Sequence, residues 1–184
     1  YPAEVNTSIL NGWFWSAEKR PKSAARLVDY FYTSIGRNGN MLLNLAPDTR
    51  GLITDDQLAS LRRVAEEVDA TFAKDLAAAA DFSADSSHPG RYPALLHDGD
   101  LDTWWEAARG RTSATVTLTL PAATTFDVVS LQEAVDHRSQ RIESFVIETW
   151  DGSSWTGPLT VDEQTTVGHK RLLRLAVPVT TDRM

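Results

Sequence analysis

"KSAARLVDYFYTSIGRNGNMLLNL", residues 22–45, joins a helical pattern to a short apolar run. Apolar residues recur at helical spacing on one face of its first part: Leu27, Val28, Phe31 and Ile35. Residues 22–36 are therefore predicted as an amphipathic helix, and Gly36 suits a left-handed helix cap. The run at 41–45 lacks polar alternation, which is typical of a strand buried on both faces of a parallel sheet. The stretch thus predicts a helix–strand unit of an α/β fold.

A second helix is predicted after the turn sequence "APDTRG" at 46–51. Thr54 and Gln57 have the spacing of a capping box. The predicted buried stripe is Leu58, Leu61, Val64, Ala65 and Val68. Residues 1–75 then read as loop, helix, buried strand and helix, which is typical of the last part of a (β/α)8 barrel. Since a lone parallel strand needs neighbours, we expect the chain to be a piece of a longer protein.

The composition changes at residues 76–92, where small and polar residues predominate and Pro and Gly occur. We interpret this segment as a linker. Beyond it, residues 93–184 contain short β-type runs, separated by turn sequences at the spacing of an all-β sandwich. These runs are 114–120, 126–135, 141–151, 153–161 and 170–179. The predicted organisation is an α/β segment, a linker and a β-sandwich.

The composition also excludes some kinds of functional site and argues against others. The 184 residues include no cysteine, which excludes disulfides, thiolate metal sites and a cysteine nucleophile. The net charge of -7 argues against a nucleic-acid partner. No apolar run approaches the ~20 residues that a membrane-spanning helix needs, so no membrane span is predicted.

The order of several motifs resembles one enzyme family. "PAEVNTSILNGWFW" at 2–15 and "SIGRNGNMLLNL" at 34–45 are similar to the C-terminal end of the catalytic barrel of retaining α-L-fucosidases, glycoside hydrolase family twenty-nine. The similarity is to the branch that cleaves α-1,3/1,4-linked fucose from branched glycans. "LLHDGDLDTWWEA" at 95–107 and "VSLQEAVDHRSQRIESFVIE" at 129–148 resemble the discoidin-like, galactose-binding sandwich appended to that barrel.

The resemblance implies an exo-acting enzyme whose substrate is a fucosylated oligosaccharide, and no cofactor is required for its catalysis. It also implies an intramolecular interface between barrel and sandwich. The family hydrolyses by double displacement with an Asp nucleophile and a Glu acid/base. The matching nucleophile strand would precede Tyr1, so we expect the nucleophile outside this chain. Glu4 matches a family glutamate whose role varies, and it is expected to act either as acid/base or as a substrate-binding residue.

Three further residues are predicted to bind substrate. Trp13 and Phe14 lie in the segment that matches the family's Gly-Trp-Phe-aromatic motif, and aromatic planes pack well against the methyl group and apolar face of fucose. Core packing at the barrel rim is the alternative, and it is the stronger reading for Phe14 and Trp15. Asn44 is a polar residue near the end of a buried strand, where it needs hydrogen-bond partners and where barrel active sites form.

The loop "DGDLDT" at 98–103 has closely spaced oxygen ligands. In the discoidin-like superfamily the matching loop often holds a structural calcium ion, and the side chains here that could contribute are Asp98, Asp100, Asp102 and Thr103. The alternative is an Asx turn that caps itself. The four histidines show no ligand spacing, so no zinc or copper site is predicted.

A non-catalytic carbohydrate-binding protein, in which the sandwich functions and the barrel segment is vestigial, is the alternative to the enzyme. A discoidin-like adhesion module is a third reading, which leaves residues 1–75 unexplained. For the enzyme we expect a secreted bacterial protein, extracellular or periplasmic. We also expect the family sandwich to continue beyond Met184, so that residues 1–184 alone would fold poorly.

Overall fold

A computed structural model describes residues 3–160 and 164–184, and the chain forms two compact units. The first unit extends to Lys74 and includes Lys170–Leu173. The second unit contains Asp75–His169 and Arg174–Met184. Within the described part of the chain, no helix is long and apolar enough to cross a membrane.

The first unit has a two-stranded parallel sheet and two helices. Its elements are β1 (Ala3–Ser8), α1 (Ala24–Ser34), β2 (Gly39–Asn44) and α2 (Asp55–Phe72). β1 pairs with β2 in a register that runs from Ala3 opposite Gly39 to Ser8 opposite Asn44. The sequence predicts a loop where β1 lies. That prediction is wrong. The strand could not be recognised because four of its six residues are exposed, so it carries no apolar alternation.

The prediction that β2 is buried on both faces is also wrong. Leu42 is 49% exposed, whereas its neighbour Leu43 packs against the core of the unit. Successive side chains of a strand point to opposite faces, so only one face of this sheet meets the helices. The core consists of Ile9, Leu10, Leu27 and Ala46.

α2 begins without the predicted capping box. Thr54 makes no side-chain cap hydrogen bond, and Gln57 is fully buried and reaches back to Ala46 instead. Of the predicted stripe, Leu61 and Val64 pack against the core. Ala65 is exposed, so the buried face of α2 is narrower than expected.

Gly36 does not provide the left-handed cap that its position after α1 suggested. The residue in that conformation is Asn38, at φ 66°, and its side-chain oxygen accepts a hydrogen bond of 2.8 Å from the Lys170 amide. Gly36 is required for another reason. A Cβ at this position would lie 2.4 Å from the Tyr32 carbonyl oxygen.

The second unit is rich in strands. It contains two 3-10 turns (Leu76–Ala79 and Pro93–Leu96), β3 (Asp81–Ala84), β4 (Val116–Leu131), the short α3 (Val135–Arg138), β5 (Thr149–Trp150) and β6 (Trp155–Thr156). It also contains β7 (Arg171–Arg183) except for its first three residues, which belong to the first unit. β3, β4 and β7 form one sheet in that order, and β5 pairs with β6. Two of the predicted runs, 114–120 and 126–135, contribute to the single long strand β4.

The segment 76–92, expected as a linker, contains a 3-10 turn and β3 in the structure. β3 pairs antiparallel with β4, from Asp81 opposite Thr119 to Ala84 opposite Val116. β3 does alternate polar and half-buried apolar residues, but at four residues it is too short to stand out from its small, polar surroundings. The apolar interior of this unit includes Leu120, Val129, Ile147, Val167 and Leu175.

Candidate functional site

An open depression of about 410 Å³ lies in the first unit, beside the C-terminal end of β2. Its lining comes from residues 13–15, which we call the aromatic segment, and from the end of β2 and the loop that follows it. The lining residues are Trp13, Phe14, Trp15, Asn44, Ala46, Pro47, Asp48 and Thr49. Three of the residues predicted to bind substrate, Trp13, Phe14 and Asn44, are therefore brought together. We call this depression the aromatic pocket.

The two predicted aromatic residues are open to solvent. Trp13 is 50% exposed and Phe14 is 82% exposed. Core packing, the stronger reading for Phe14 from sequence, is therefore wrong for this residue. For Trp15 the prediction of core packing is confirmed, because its side chain packs against the core, and it also lines the pocket.

Asn44 links the sheet to the aromatic segment. Its side-chain amide donates hydrogen bonds to Ser8 Oγ at 3.2 Å and to the Trp13 carbonyl oxygen at 3.0 Å. These bonds satisfy the half-buried side-chain amide. Because the amide NH2 group is used within the protein, Asn44 fixes the backbone at Trp13.

Asp48 is the carboxylate that lines the aromatic pocket, and sequence reasoning did not single it out. Its side chain accepts hydrogen bonds from the amides of Arg50 at 2.8 Å and Leu52 at 3.2 Å, and from the Arg50 guanidinium. The Arg50 side-chain hydrogen bond is the main reason that the pKa of Asp48 lies below its ordinary value. Asp48 therefore remains ionised and closes a turn, which does not suit a general acid.

Glu4 is not brought to the aromatic pocket. It is exposed near the start of β1, where it lies opposite Asn40 in the register. The pocket borders the other end of the strand pair, where Ser8 lies opposite Asn44. Ser8 lies four residue steps along the strand from Glu4, which is about 13 Å.

The loop at 98–103 closes on itself. Asp98 accepts hydrogen bonds from the Asp100 amide at 3.0 Å and from Thr103 Oγ1 at 2.7 Å, and Asp100 accepts one from the Asp102 amide at 2.9 Å. The hydrogen bond from Thr103 Oγ1 is also the main reason that the pKa of Asp98 lies below its ordinary value. Across residues 3–160 and 164–184, no three acidic or histidine side chains gather around a point that could hold a metal ion. This arrangement fits the Asx turn better than a carboxylate cage, and calcium here stays a prediction.

A cluster of aromatic and charged side chains surrounds Trp104 in the second unit. The Arg91 guanidinium lies over the Trp104 ring, 3.5 Å from its centroid, and the His137 ring stacks on it at 5.0 Å. Glu106 pairs with Arg138 at 2.8 Å and with Arg141 at 3.2 Å. Since protein side chains already pack on Trp104, the ring is not an open sugar-stacking platform.

The carboxylate of Glu133 and the guanidinium of Arg141 both have partners within the second unit. Glu133 Oε1 accepts hydrogen bonds from the amides of Arg141 and Ile142, and Oε2 accepts one from the Gly168 amide. The guanidinium of Arg141 pairs with Glu106 of the same unit. A carboxylate that accepts backbone amides has no recognisable sequence signature, so the pairing could not be predicted.

Two family models match the chain. Residues 2–70 match the α-L-fucosidase family, and residues 96–184 match the family described as NedA-like, galactose-binding domain. These two matches indicate a glycoside hydrolase segment followed by a galactose-binding-like domain. The chain is similar to α-L-fucosidases along nearly its whole length.

Relatives of known name or structure agree with this assignment. Alpha-L-fucosidase 1 of Arabidopsis thaliana is 35% identical over 178 residues, which cover 94% of this chain and 35% of that protein. A GH29 fucosidase of Ruminococcus gnavus, solved in complex with fucose, is 30% identical with a TM-score of 0.87, over 98% of this chain and 36% of that one. The crystal structure of SpGH29 gives 30% identity and a TM-score of 0.88, over 98% of this chain and 39% of the other. The chain thus spans about a third of the length of these relatives.

Proposed function

We propose that this chain forms part of an exo-acting, retaining α-L-fucosidase that removes terminal α-1,3/1,4-linked L-fucose from branched glycans. The observation that carries the proposal is the aromatic pocket, which lies within the residues that match the α-L-fucosidase family. Fucose presents a methyl group and an apolar face, and exposed aromatic rings such as Trp13 and Phe14 suit both. The rings would supply binding surface rather than proton transfer.

The first unit is proposed as the end of a (β/α)8 barrel. Its two strands are parallel, and a helix follows each of them. In such barrels the active site is built at the C-terminal ends of the strands. Ser8 and Asn44 end β1 and β2, and the aromatic pocket borders this end. The position of the pocket supports the barrel interpretation.

The retaining mechanism needs two carboxyl groups about 5–5.5 Å apart. Among the residues lining the aromatic pocket, Asp48 is the sole carboxylate, and Arg50 holds it in a turn. We therefore propose that the nucleophilic Asp is contributed from outside this chain. Because Glu4 lies at the other end of the strands, its position favours a supporting role over that of acid/base or substrate-binding residue.

The proposal is tested by fucose release from the complete protein, by which we mean the natural protein that contains this chain. Substrates are an α-1,3/1,4-fucosylated trisaccharide and an aryl fucoside, and NMR follows the anomer first released. Release from the trisaccharide alone, with retained configuration, is the expected result. Release from both substrates supports a less selective fucosidase, inverted configuration contradicts the mechanism, and no release from either contradicts the function.

A carbohydrate-binding protein without catalysis is the second candidate, favoured by the match of residues 96–184 to a galactose-binding domain. Glycan-array binding by the complete protein separates the two. Binding with no fucose release supports the second candidate, whereas turnover supports the first.

A further inference from the structure

The aromatic segment belongs to a loop that is closed at its base. Leu10 and Pro21 form an antiparallel bridge, and the Lys22 amide donates to the Ile9 carbonyl oxygen at 2.8 Å. The Lys22 ammonium group also donates to the carbonyl oxygens of Ser8 and Leu10. Residues 11–20 thus project from a fixed base, and the exposed rings of Trp13 and Phe14 have little packing of their own.

Two side chains hold the backbone of the aromatic segment at successive residues. Asn44 Nδ2 donates to the Trp13 carbonyl oxygen at 3.0 Å, and Lys19 Nζ donates to the Phe14 carbonyl oxygen at 2.7 Å. Asn44 belongs to the sheet, whereas Lys19 lies on the returning arm of the loop itself. A hydrogen bond from an ammonium group is among the stronger ones. The peptide groups of both exposed aromatic residues are therefore fixed.

Gly12 leaves the space that the Lys19 ammonium group occupies. A Cβ at residue 12 would lie 3.1 Å from Lys19 Nζ, which is closer than most real contacts. Gly12 also has φ 105°, a conformation that favours glycine. The loop is therefore built so that Lys19 can reach across it to Phe14.

We propose that Lys19 is a positioning residue for substrate binding: it fixes Phe14 and the adjacent Trp13 as a preformed wall of the aromatic pocket. The inference rests on the proposed function. A wall fixed before binding reduces the ordering cost of binding. Lys19 acts through Phe14, so its loss affects substrate affinity more than the chemical step.

The test uses the complete protein with Lys19→Ala, Lys19→Arg and the control Lys74→Ala. Lys74 is an exposed lysine just beyond α2 and serves as the matched control. Lys19→Ala is expected to raise KM for fucoside hydrolysis about tenfold, with kcat changed by less than about twofold. Lys19→Arg keeps a cationic donor and is expected to recover most of the affinity, and Lys74→Ala to behave as the wild type. A lowered melting temperature with unchanged KM would mean a merely structural role and would overturn the inference.

Hydrogen exchange gives a readout that does not depend on activity. In Lys19→Ala the amides of residues 11–20 are expected to exchange faster, while those of β1 and β2 keep their wild-type rates. Unchanged exchange in 11–20 would overturn the positioning role. If the wild-type complete protein releases no fucose, the proposed function fails, and the substrate role of Lys19 fails with it. If the wild type is active and Lys19→Ala has an unchanged KM, the inference alone fails.

Discussion

At the scale of single residues, Asn44 connects the end of β2 to the aromatic segment through Ser8 and Trp13. Asn44→Ala removes both hydrogen bonds and is expected to cost about 1–2 kcal/mol of stability and to weaken fucoside binding. Asn44→Asp has nearly the same shape but no NH2 donor, so we expect the same defect. Thermal unfolding and KM of the complete protein measure both effects. A wild-type KM for Asn44→Asp would show that the amide does not position Trp13.

Ser139 has an unfavourable backbone conformation. Its φ of 58° and ψ of 179° lie in a region that is almost restricted to glycine. Ser139→Gly is therefore expected to raise the free energy of unfolding by about 1 kcal/mol. Ser113 is an exposed serine without positive φ, and its replacement by glycine is the control. Ser113→Gly should lower stability slightly by increasing the entropy of the unfolded chain, and denaturant titration compares the two variants.

The His97–Asp75 pair gives the second unit a pH dependence. His97 Nε2 lies 2.7 Å from Asp75 Oδ2, and this hydrogen bond is the main reason that the pKa of His97 is raised. Asp98 adds to the effect, and the ring of Phe82 packs 6.3 Å from that of His97. The stabilisation is complete below the unfolded-state pKa of about 6.5 and is lost as the pH rises through the raised pKa of the folded state.

The measurement is the stability of the wild type and His97→Gln from pH 5 to pH 9. The free energy of unfolding of the wild type should exceed that of the variant most at acidic pH. The difference should shrink as the pH rises through neutrality. A difference that is constant with pH would show that the pair does not titrate as described.

At the scale of elements, α2 is joined to the loop after β2 by one buried side chain. Gln57 accepts a hydrogen bond from the Ala46 amide at 3.1 Å and donates to the Ala46 carbonyl oxygen at 2.9 Å. Gln57→Leu leaves both backbone groups buried without these partners. The expected loss is about 2–5 kcal/mol in the free energy of unfolding.

Gln132→Leu is the matched control, because Gln132 is exposed and makes one hydrogen bond of 3.3 Å to the His169 carbonyl oxygen. It should change stability by less than about 0.5 kcal/mol. Chemical denaturation of the complete protein compares the two. Equal effects of both substitutions would contradict the buried role of Gln57.

At the scale of the whole molecule, the sheet of the first unit is open. β1 pairs with β2 and with no other described strand, and Val5 and Leu42 are 40% and 49% exposed. Open strand edges and exposed apolar residues favour aggregation. Residues 1–184 expressed alone are therefore expected to be poorly soluble or to lack a cooperative unfolding transition. A soluble chain with one sharp calorimetric transition would contradict this expectation.

The sequence was informative where burial imposes a pattern. Leu27 and Val28 predicted α1, and both are buried in it. β1 was missed because its exposed polar residues carry no such pattern. Trp13 and Phe14 were found through a family motif and Asn44 through its polarity at the end of a strand, and the structure gathers them in one pocket. Lys19 could not be found, since its partner is a backbone carbonyl oxygen, which any residue offers equally.

The proposed function requires that the aromatic pocket bind fucose during catalysis. The most direct test is the KM of Trp13→Ala for fucose release by the complete protein, with Trp155→Ala as control. Trp155 is 43% exposed, close to the 50% of Trp13, but it lies in the β5–β6 hairpin of the second unit. We expect Trp13→Ala to raise KM about tenfold or more, the loss expected for a stacked aromatic ring, and Trp155→Ala to leave KM unchanged. An unchanged KM in Trp13→Ala, with activity otherwise intact, would show that the aromatic pocket does not bind fucose.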